Sequence, residues 1–350
     1  ELHGGVRYEY NRQKIGAAIP HGSAGNYTGI NKPVLIDHAA GLWLPSVNFS
    51  LKPTEKWVLR VAYGKTVNRA EFREVSPFKE LDFENNTELI GNTDLVSATI
   101  KNYDLRLEFY PNIDKGDAIS AGIFYKNISN PIERVNTSSR IESVIPSISY
   151  SNATSAVIRG IEVEVRKTFD FIPGALFRNL SFAGNASWIE SKAEFLDVYP
   201  TDPVIRERPL QGQAPLLLNA GLYYDNAGWG SKIAFIYNYI GENIYAVGLG
   251  YKSNWIVGPE YRGSLIELPR QSLDFSYTQR IGKDLQMKFT VQNILDAKLE
   301  MVEDFNFTNK YEILSEPYTT ETGETTQSGD NIASSYRPGR YFSLSLSYSF

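Results

Sequence analysis

The chain contains no cysteine, and this absence is the first limit on its chemistry. None of its 350 residues is Cys, so no disulfide and no thiolate metal site is expected. It also lacks an uninterrupted apolar run of the ~18 residues that a transmembrane helix needs. The net charge of −5 offers no basic face, so nucleic acid is not an expected partner.

Histidine is scarce as well, and no arrangement of side chains indicates catalysis. His3 lies near a chain end, whereas His21 and His38 fall in one predicted loop. No carboxylate or cysteine spacing around them supports a metal or haem site. Nucleophile elbows, phosphate-binding loops and catalytic dyads are also missing. The sequence therefore predicts no catalytic residue, no metal, no cofactor and a protein that is not an enzyme.

What the chain does contain is alternation of apolar and polar residues, seen best in its last segment. Phe342, Leu344, Leu346, Tyr348 and Phe350 alternate with serines. Successive side chains of a β-strand point to opposite faces, so this segment has one apolar face and one polar face. Aromatics make up 13% of the chain and Tyr outnumbers Phe, which suits positions that are apolar on one side and wet on the other.

The same alternation recurs about twelve times along the chain. Most of the segments have about eight to eleven residues, the length with which a tilted strand crosses a bilayer. The predicted strands lie near residues 2–12, 43–51, 57–63, 103–109, 117–126, 161–166, 180–190, 214–224, 232–239, 270–279, 285–292 and 342–350.

The connections between these strands alternate between long and short. Loops beyond about 12–15 residues are uncommon in compact soluble domains, yet six are predicted here, all at one end of the sheet. This is the layout of an outer-membrane β-barrel, which has short periplasmic turns and long extracellular loops. The long connections are 13–42, 66–100, 127–157, 191–213, 240–269 and 294–339; the shorter ones are 52–56, 111–116, 168–179, 225–231 and 280–284.

Charged residues in the middle of the strands decide which face looks inward. A one-residue slip of strand 103–109 would turn its charges towards lipid, at about 2–4 kcal/mol for each Arg or Lys near the midplane. We therefore expect the polar face to line a wet or plugged lumen; a β-sandwich or jelly roll is the alternative that also alternates. The expected lumen-facing residues are Arg60, Asp104, Arg106, Glu108, Glu162, Glu164 and Arg166.

Several segments, in order and spacing, resemble TonB-dependent receptors of the Bacteroidetes type. Two of them depart from the usual pattern, with Ala70 and Thr93 where proline is common. No single motif is specific, but together they span residues 40–350. The matching segments are Leu44–Ser50 (LPSVNFS), Leu59–Arg69 (LRVAYGKTVNR), Glu71–Glu74 (EFRE), Asn92–Leu95 (NTDL), Asn102–Leu105 (NYDL), Phe124–Lys126 (FYK), Asn130–Glu133 (NPIE), Gly160–Glu164 (GIEVE), Val291–Asp296 (VQNILD) and Gly339–Arg340.

The resemblance implies a transmembrane, antiparallel, up-and-down β-barrel of about 22 strands, filled by an amino-terminal plug. About twelve strands are present in residues 1–350, so we interpret the chain as the carboxy-terminal portion of the barrel, without the plug, the first strands or the TonB box. The resemblance further implies the bacterial outer membrane as location, and lipid, lipopolysaccharide, TonB and the outer-membrane assembly machinery as partners. Phe350 resembles the terminal signal that this machinery reads. A surface lipoprotein is a further possible partner.

Two sets of residues are candidates for the site. The lumen-facing charges would form the wall or hold the plug, with direct substrate contact as the alternative. The aromatics Tyr245, Tyr251, Trp255 and Tyr261, in a glycine-containing loop, could stack on a ligand, with loop packing or an interfacial belt as the alternative.

The function expected from this interpretation is TonB-dependent uptake of a scarce nutrient. Ferric siderophores, haem, cobalamin, glycans and peptides all use this scaffold, and the fold does not select among them. Two alternatives stay open: a passive porin with a closed barrel of about twelve strands, and a surface adhesin or structural barrel.

Overall fold

The structure is a computed structural model, and it describes residues 1–20, 31–83, 87–138, 146–197, 204–248, 263–304, 308–313, 318–319, 325–326 and 329–349. Within these ranges the chain is mostly β-strand, with two helices of four residues each. No helix in this part of the chain is long and apolar enough to cross a membrane.

The elements follow one another as a long series of strands. The first half comprises β1 (Leu2–Pro20), β2 (Asn31–Thr54), β3 (Trp57–Asn68), α1 (Phe72–Val75), β4 (Lys79–Asp82), β5 (Thr87–Ile90), β6 (Ala98–Phe109), β7 (Ala118–Ser129), β8 (Ile132–Asn136), β9 (Ser147–Asn152), β10 (Ser155–Thr168), α2 (Ala175–Arg178) and β11 (Leu180–Asp197). The second half comprises β12 (Val204–Arg208), β13 (Leu216–Asn226), β14 (Ser231–Ile240), β15 (Asn243–Gly248), β16 (Leu265–Glu267), β17 (Arg270–Ile281), β18 (Leu285–Gln292), β19 (Leu299–Glu303), β20 (Tyr318–Thr319), β21 (Thr325–Thr326), β22 (Asn331–Tyr336) and β23 (Tyr341–Tyr348).

Twelve of the strands form one large antiparallel sheet in which neighbours in sequence are neighbours in space. The order is β1-β2-β3-β6-β7-β10-β11-β13-β14-β17-β18-β23, and the short strand β12 adds to β11. The path is open, with β1 at one edge and β23 at the other. This confirms the predicted all-β, up-and-down architecture and the count of about twelve strands.

The two faces of the large sheet differ in chemistry. One row of directly opposed residues is entirely apolar and crosses eight strands: Leu2, Phe49, Val61, Leu105, Ile123, Ile161, Trp188 and Leu216. Each of these side chains is 40–69% exposed. A soluble protein rarely exposes so large an apolar patch, and an apolar band on the outside is the surface that a transmembrane barrel shows to lipid. We call this the outer face.

The row on the opposite face, one residue along each strand, is largely polar. It contains Ser50, Arg60, Arg106, Gly122, Glu162 and Ser187. We call this the inner face. Towards the long connections it becomes apolar, because Ile128, Ile158 and Ile189 form a buried cluster against Leu210 of the connection before β13. The inner face is therefore polar over only part of its height.

The first long connection, 13–42, was predicted as a loop, and this is wrong for most of its length. β1 and β2 continue their pairing to Pro20 and Asn31. His38 lies in β2 opposite Gln13 rather than in a loop. A cross-strand ion pair between Arg12 and Asp37, with Nε to Oδ1 at 2.6 Å, supports this extension.

Four of the other long connections fold into a second sheet, which the alternation pattern did not predict. Its order is β22-β19-β16-β15-β8-β9-β5-β4. Parallel pairing of β15 with β8 and of β5 with β9 joins hairpins that come from different connections. Ile148, Ala246, Ile266 and Val302 are fully buried in it. Apolar runs this short are not assigned to strands from the sequence, because periodicity alone does not identify them.

Candidate functional site

Five of the seven charged residues predicted to share the inner face form one hydrogen-bonded network. Glu108 is its centre: Arg60 Nε lies 3.0 Å and Arg106 Nε 3.1 Å from the same oxygen, Oε1. Arg106 Nη2 also donates to Glu164 at 2.9 Å, and Arg166 Nη2 lies 2.9 Å from the other Glu164 oxygen. We call these five residues the inner-face network.

The strand register explains why Glu108 stands between two arginines. Arg60 and Arg106 are directly opposite each other on β3 and β6, and like charges in that position repel. Glu108, two residues along β6, faces the same side and accepts from both. Tyr110, which the sequence analysis did not identify, donates its hydroxyl to Glu108 Oε2 at 2.9 Å. The phenol thus holds the carboxylate in its place between the arginines.

The other two predicted residues lie on the inner face but outside the network. Glu162 is exposed and lies opposite Gly122 and Ser187; among the described residues its one hydrogen-bond contact is a long one, 3.5 Å, from the Ser187 hydroxyl. Asp104 is exposed, lies opposite Ala62 and Phe124, and makes no ion pair within the described part of the chain. Two carboxylates therefore stand on this face largely without cationic partners.

Tyr245 is the only predicted loop aromatic that falls within the described residues. It is 8% exposed and belongs to the core of the second sheet. The Arg134 guanidinium carbon lies 5.1 Å from the centre of its ring, and burial raises the pKa of the phenol. Tyr245 therefore packs within the core of the second sheet. Tyr251, Trp255 and Tyr261 lie outside the described residues, as do His21 and Phe350.

A cleft of about 340 Å³ opens between the end of β14 and the second sheet. Its lining includes Tyr245, Glu267, Arg270 and Tyr336, and Asn243 Nδ2 donates to Glu267 at 3.1 Å. Polar groups set beside aromatic rings are what small-molecule sites commonly offer. Sequence reasoning missed this cleft because its walls come from six separate strands.

A buried ion pair, also missed by sequence reasoning, ties two of the long connections together. Arg208 Nη1 lies 2.7 Å from Glu133 Oε1, and Arg208 Nη2 lies 2.5 Å from Oε2. Their side chains are 4% and 2% exposed, and the Gln211 backbone N–H donates to the same carboxylate. The two residues are 75 positions apart in the sequence, so no local sequence motif predicts the pair.

The described residues offer no cluster of three or more His, Asp or Glu side chains that could hold a metal ion. His3 lies opposite Asn48 and His38 opposite Gln13, both in the β1–β2 hairpin. Neither joins the inner-face network.

The family model for the TonB-dependent receptor-like β-barrel matches residues 1–294. The chain belongs to the TonB-dependent receptor family. This confirms the resemblance inferred from the sequence motifs. Members of this family are receptors of the outer membrane of Gram-negative bacteria, so this receptor chain is an outer-membrane protein. They are transporters rather than enzymes. No curated protein sequence gives a significant match.

Solved structures of similar fold are also receptors and transporters. One is a variant of the ferric enterobactin receptor PfeA from Pseudomonas aeruginosa, at 16% identity, with a TM-score of 0.51 and 91% of this chain covered. Another is the siderophore receptor PirA from Acinetobacter baumannii, at 13% identity, with a TM-score of 0.50 over 91% of this chain. The FrpB iron transporter from Neisseria meningitidis, at 13% identity, has a TM-score of 0.50 over the whole chain.

The receptor chain is shorter than these neighbours. It spans 42% of the PfeA variant and 43% of PirA and FrpB. At such low identities the likeness establishes the fold and carries no substrate with it.

Proposed function

We propose that this chain forms part of a TonB-dependent transporter that takes up a scarce nutrient across the outer membrane. The observation that carries the proposal is a twelve-stranded sheet with an apolar outer face and an ion-paired inner face, in a chain of this family. Long connections on one rim would capture the nutrient, because loops on a rigid scaffold commonly carry recognition.

We further propose that the chain is the carboxy-terminal portion of the barrel. Its 42–43% coverage of the solved neighbours and the open path from β1 to β23 support this arrangement. The amino-terminal plug, the TonB box and the first strands would then belong to the rest of the receptor. TonB would pull on the plug with energy from the inner membrane, and no covalent bond would be made or broken.

The inner-face network, together with Asp104 and Glu162 beside it, is the proposed docking surface for the plug. Its charged side chains are already paired with one another, so their positions are fixed before the plug binds. Asp104 and Glu162 have carboxylates left for polar groups of a partner. Ferric siderophores, haem, cobalamin, glycans and peptides all stay candidate substrates. The PirA structure is described as a siderophore receptor and FrpB as an iron transporter, which makes iron sources the first nutrients to test.

The experiment is an uptake assay with the full-length receptor as the sole transporter for a labelled candidate nutrient. The proposal predicts accumulation that stops when the TonB system is deleted. Uptake that persists without TonB, together with steady conductance in planar bilayers, would favour a passive porin. A cell surface that binds ligand but shows no uptake under either condition would favour an adhesin.

The docking proposal has its own test in the same receptor. An Asp104→Asn, Glu162→Gln double variant should loosen the plug and raise permeability to small antibiotics, while the barrel itself stays folded. A double variant with two carboxylates removed at the short-turn rim, Glu55→Gln and Asp284→Asn, is the matched control. Equal permeability in the two variants would contradict plug docking at this surface.

A further inference from the structure

A row of tyrosines crosses three strands on the outer face, close to the long connections. Tyr63 lies opposite Tyr103, and Tyr103 lies opposite Tyr125. Their ring centroids are 5.1 Å and 6.1 Å apart along the row. Tyr is enriched where the hydrocarbon of a membrane meets water, and outer-membrane barrels carry aromatic girdles at both interfaces. The row therefore marks the interface on the side of the long connections, which is the extracellular side.

Two lysines stand one step beyond this row on the same face. Lys65 follows Tyr63 by two residues on β3, Lys101 precedes Tyr103 by two on β6, and the two are directly opposite each other. Asn127 is the next residue across, on β7. Opposed residues have Cβ atoms about 5 Å apart, and like charges in that position destabilise a sheet. An anion bound between the two ammonium groups would relieve this repulsion.

No carboxylate supplies that anion within the described part of the chain, where neither Lys65 nor Lys101 makes an ion pair. Two other basic side chains on the outer face near this rim have carboxylate partners. Arg159 lies 2.9 Å from Glu190, and Lys192 lies 2.5 Å from Glu207. The contrast points to a counter-charge from outside the protein, and what lies against the outer face at this height is the outer leaflet.

We infer that Lys65 and Lys101 bind the phosphate group of a phosphorylated glycolipid in the outer leaflet. Lysine binds phosphate as a point charge. The acyl chains would lie below the phosphate, against Tyr63 and Tyr103, and a sugar hydroxyl would reach the amide of Asn127. This binding site requires only the membrane location, so it stands or fails separately from the proposed transport of a nutrient.

The test measures binding of lipid A to the purified full-length receptor by native mass spectrometry in detergent. The double variant Lys65→Ala, Lys101→Ala should bind bisphosphorylated lipid A about 25-fold more weakly, since each lysine near an anionic surface contributes about fivefold. The matched control is Lys52→Ala, Lys56→Ala, which removes two lysines at the short turn between β2 and β3, on the opposite rim of the sheet. It should bind the lipid as the unaltered receptor does. Lys65→Arg, Lys101→Arg should also retain most of the affinity, because the charge is kept.

Two further measurements on the unaltered receptor identify the source of the phosphate. They do not depend on the folding of any variant. The unaltered receptor should bind dephosphorylated lipid A far more weakly than the bisphosphorylated form. Millimolar inorganic phosphate should compete only weakly, because it brings no acyl chains to the tyrosines. Equal affinity for the two lipids would overturn the inference. So would full competition by inorganic phosphate, or equal losses in the alanine variant and its control.

Discussion

At the scale of single residues, Glu108 determines whether two opposed arginines can share the inner face. Its carboxylate accepts from both Arg60 and Arg106 and is held by the Tyr110 hydroxyl. The Glu108 side chain is 9% exposed, whereas Arg60 is half exposed. The carboxylate therefore acts as a buried counter-charge between two partly solvated cations.

Replacing this carboxylate by an amide should destabilise the barrel. Glu108→Gln leaves Arg60 and Arg106 facing each other, and we expect a loss of roughly 1–3 kcal/mol in the free energy of unfolding, the range for a polar group left without its partner. Urea-induced unfolding in detergent or liposomes measures it. Glu162→Gln, which removes an exposed carboxylate outside the network, is the control. A loss as large in the control as in Glu108→Gln would contradict the role assigned to Glu108.

Asp117 makes the short-turn rim sensitive to acid. Its carboxylate accepts from the Thr168 backbone N–H at 2.8 Å and the Thr168 hydroxyl at 2.9 Å, and it pairs with Lys167. Burial alone would raise its pKa, but these hydrogen bonds and the lysine outweigh it, so the pKa of Asp117 lies below its ordinary value.

A depressed carboxyl pKa contributes stability above the ordinary Asp pKa, and this stability is lost as the pH falls through the lowered value. The unaltered chain should therefore lose stability below about pH 4. Asp117→Asn should be less stable at neutral pH and should show a shallower loss in acid. Melting curves across pH 2–7, a range chosen to bracket the ordinary Asp value, measure both. Parallel curves for the two proteins would contradict the assignment.

At the scale of elements, the Glu133–Arg208 pair fastens β8 to the connection before β13. Both side chains are buried and doubly hydrogen-bonded. Removing one partner of such a pair costs about 3–5 kcal/mol, because a charge stays buried without compensation. An exposed pair contributes only about 0–1 kcal/mol.

We therefore expect Glu133→Gln to increase hydrogen exchange in β8, β9 and β15, which pair with one another, while β3 and β6 keep their protection. Arg159→Gln is the control, because it breaks an Arg–Glu pair that is equally bidentate but exposed. Exchange that rises equally in both variants, or rises over the whole large sheet, would contradict a local fastening.

The alternation of apolar and polar residues predicted the strands of the large sheet, because each of these strands has one apolar face and one polar face. It predicted Phe342, Leu344 and Leu346 on one face and Arg60, Arg106 and Glu108 on the other. It could not predict the second sheet, whose strands have only three to six residues, too few for a period to identify them. It also could not place His38 in a strand or Tyr245 in a core, since both depend on partners that are distant in sequence.

At the scale of the whole molecule, the face of the large sheet that meets lipid determines where the strands and both proposed sites lie. The apolar row through Leu105 and Ile161 is exposed, and the neighbouring row carries Arg106 and Glu162 on the other face. If lipid covers the first row, the ion-paired network is enclosed by the barrel. If it does not, the location of the strands, the docking surface and the glycolipid site all fail together.

Residues 1–350 contain no cysteine, so single-cysteine variants in this part of the receptor, with any cysteine elsewhere replaced by serine, measure this directly in liposomes. Spin labels at Leu105→Cys and Ile161→Cys should be accessible to oxygen and protected from a water-soluble nickel complex. Labels at the adjacent Asp104→Cys and Glu162→Cys should show the reverse. The account predicts this alternation with a period of two residues; equal nickel accessibility at all four positions would contradict it.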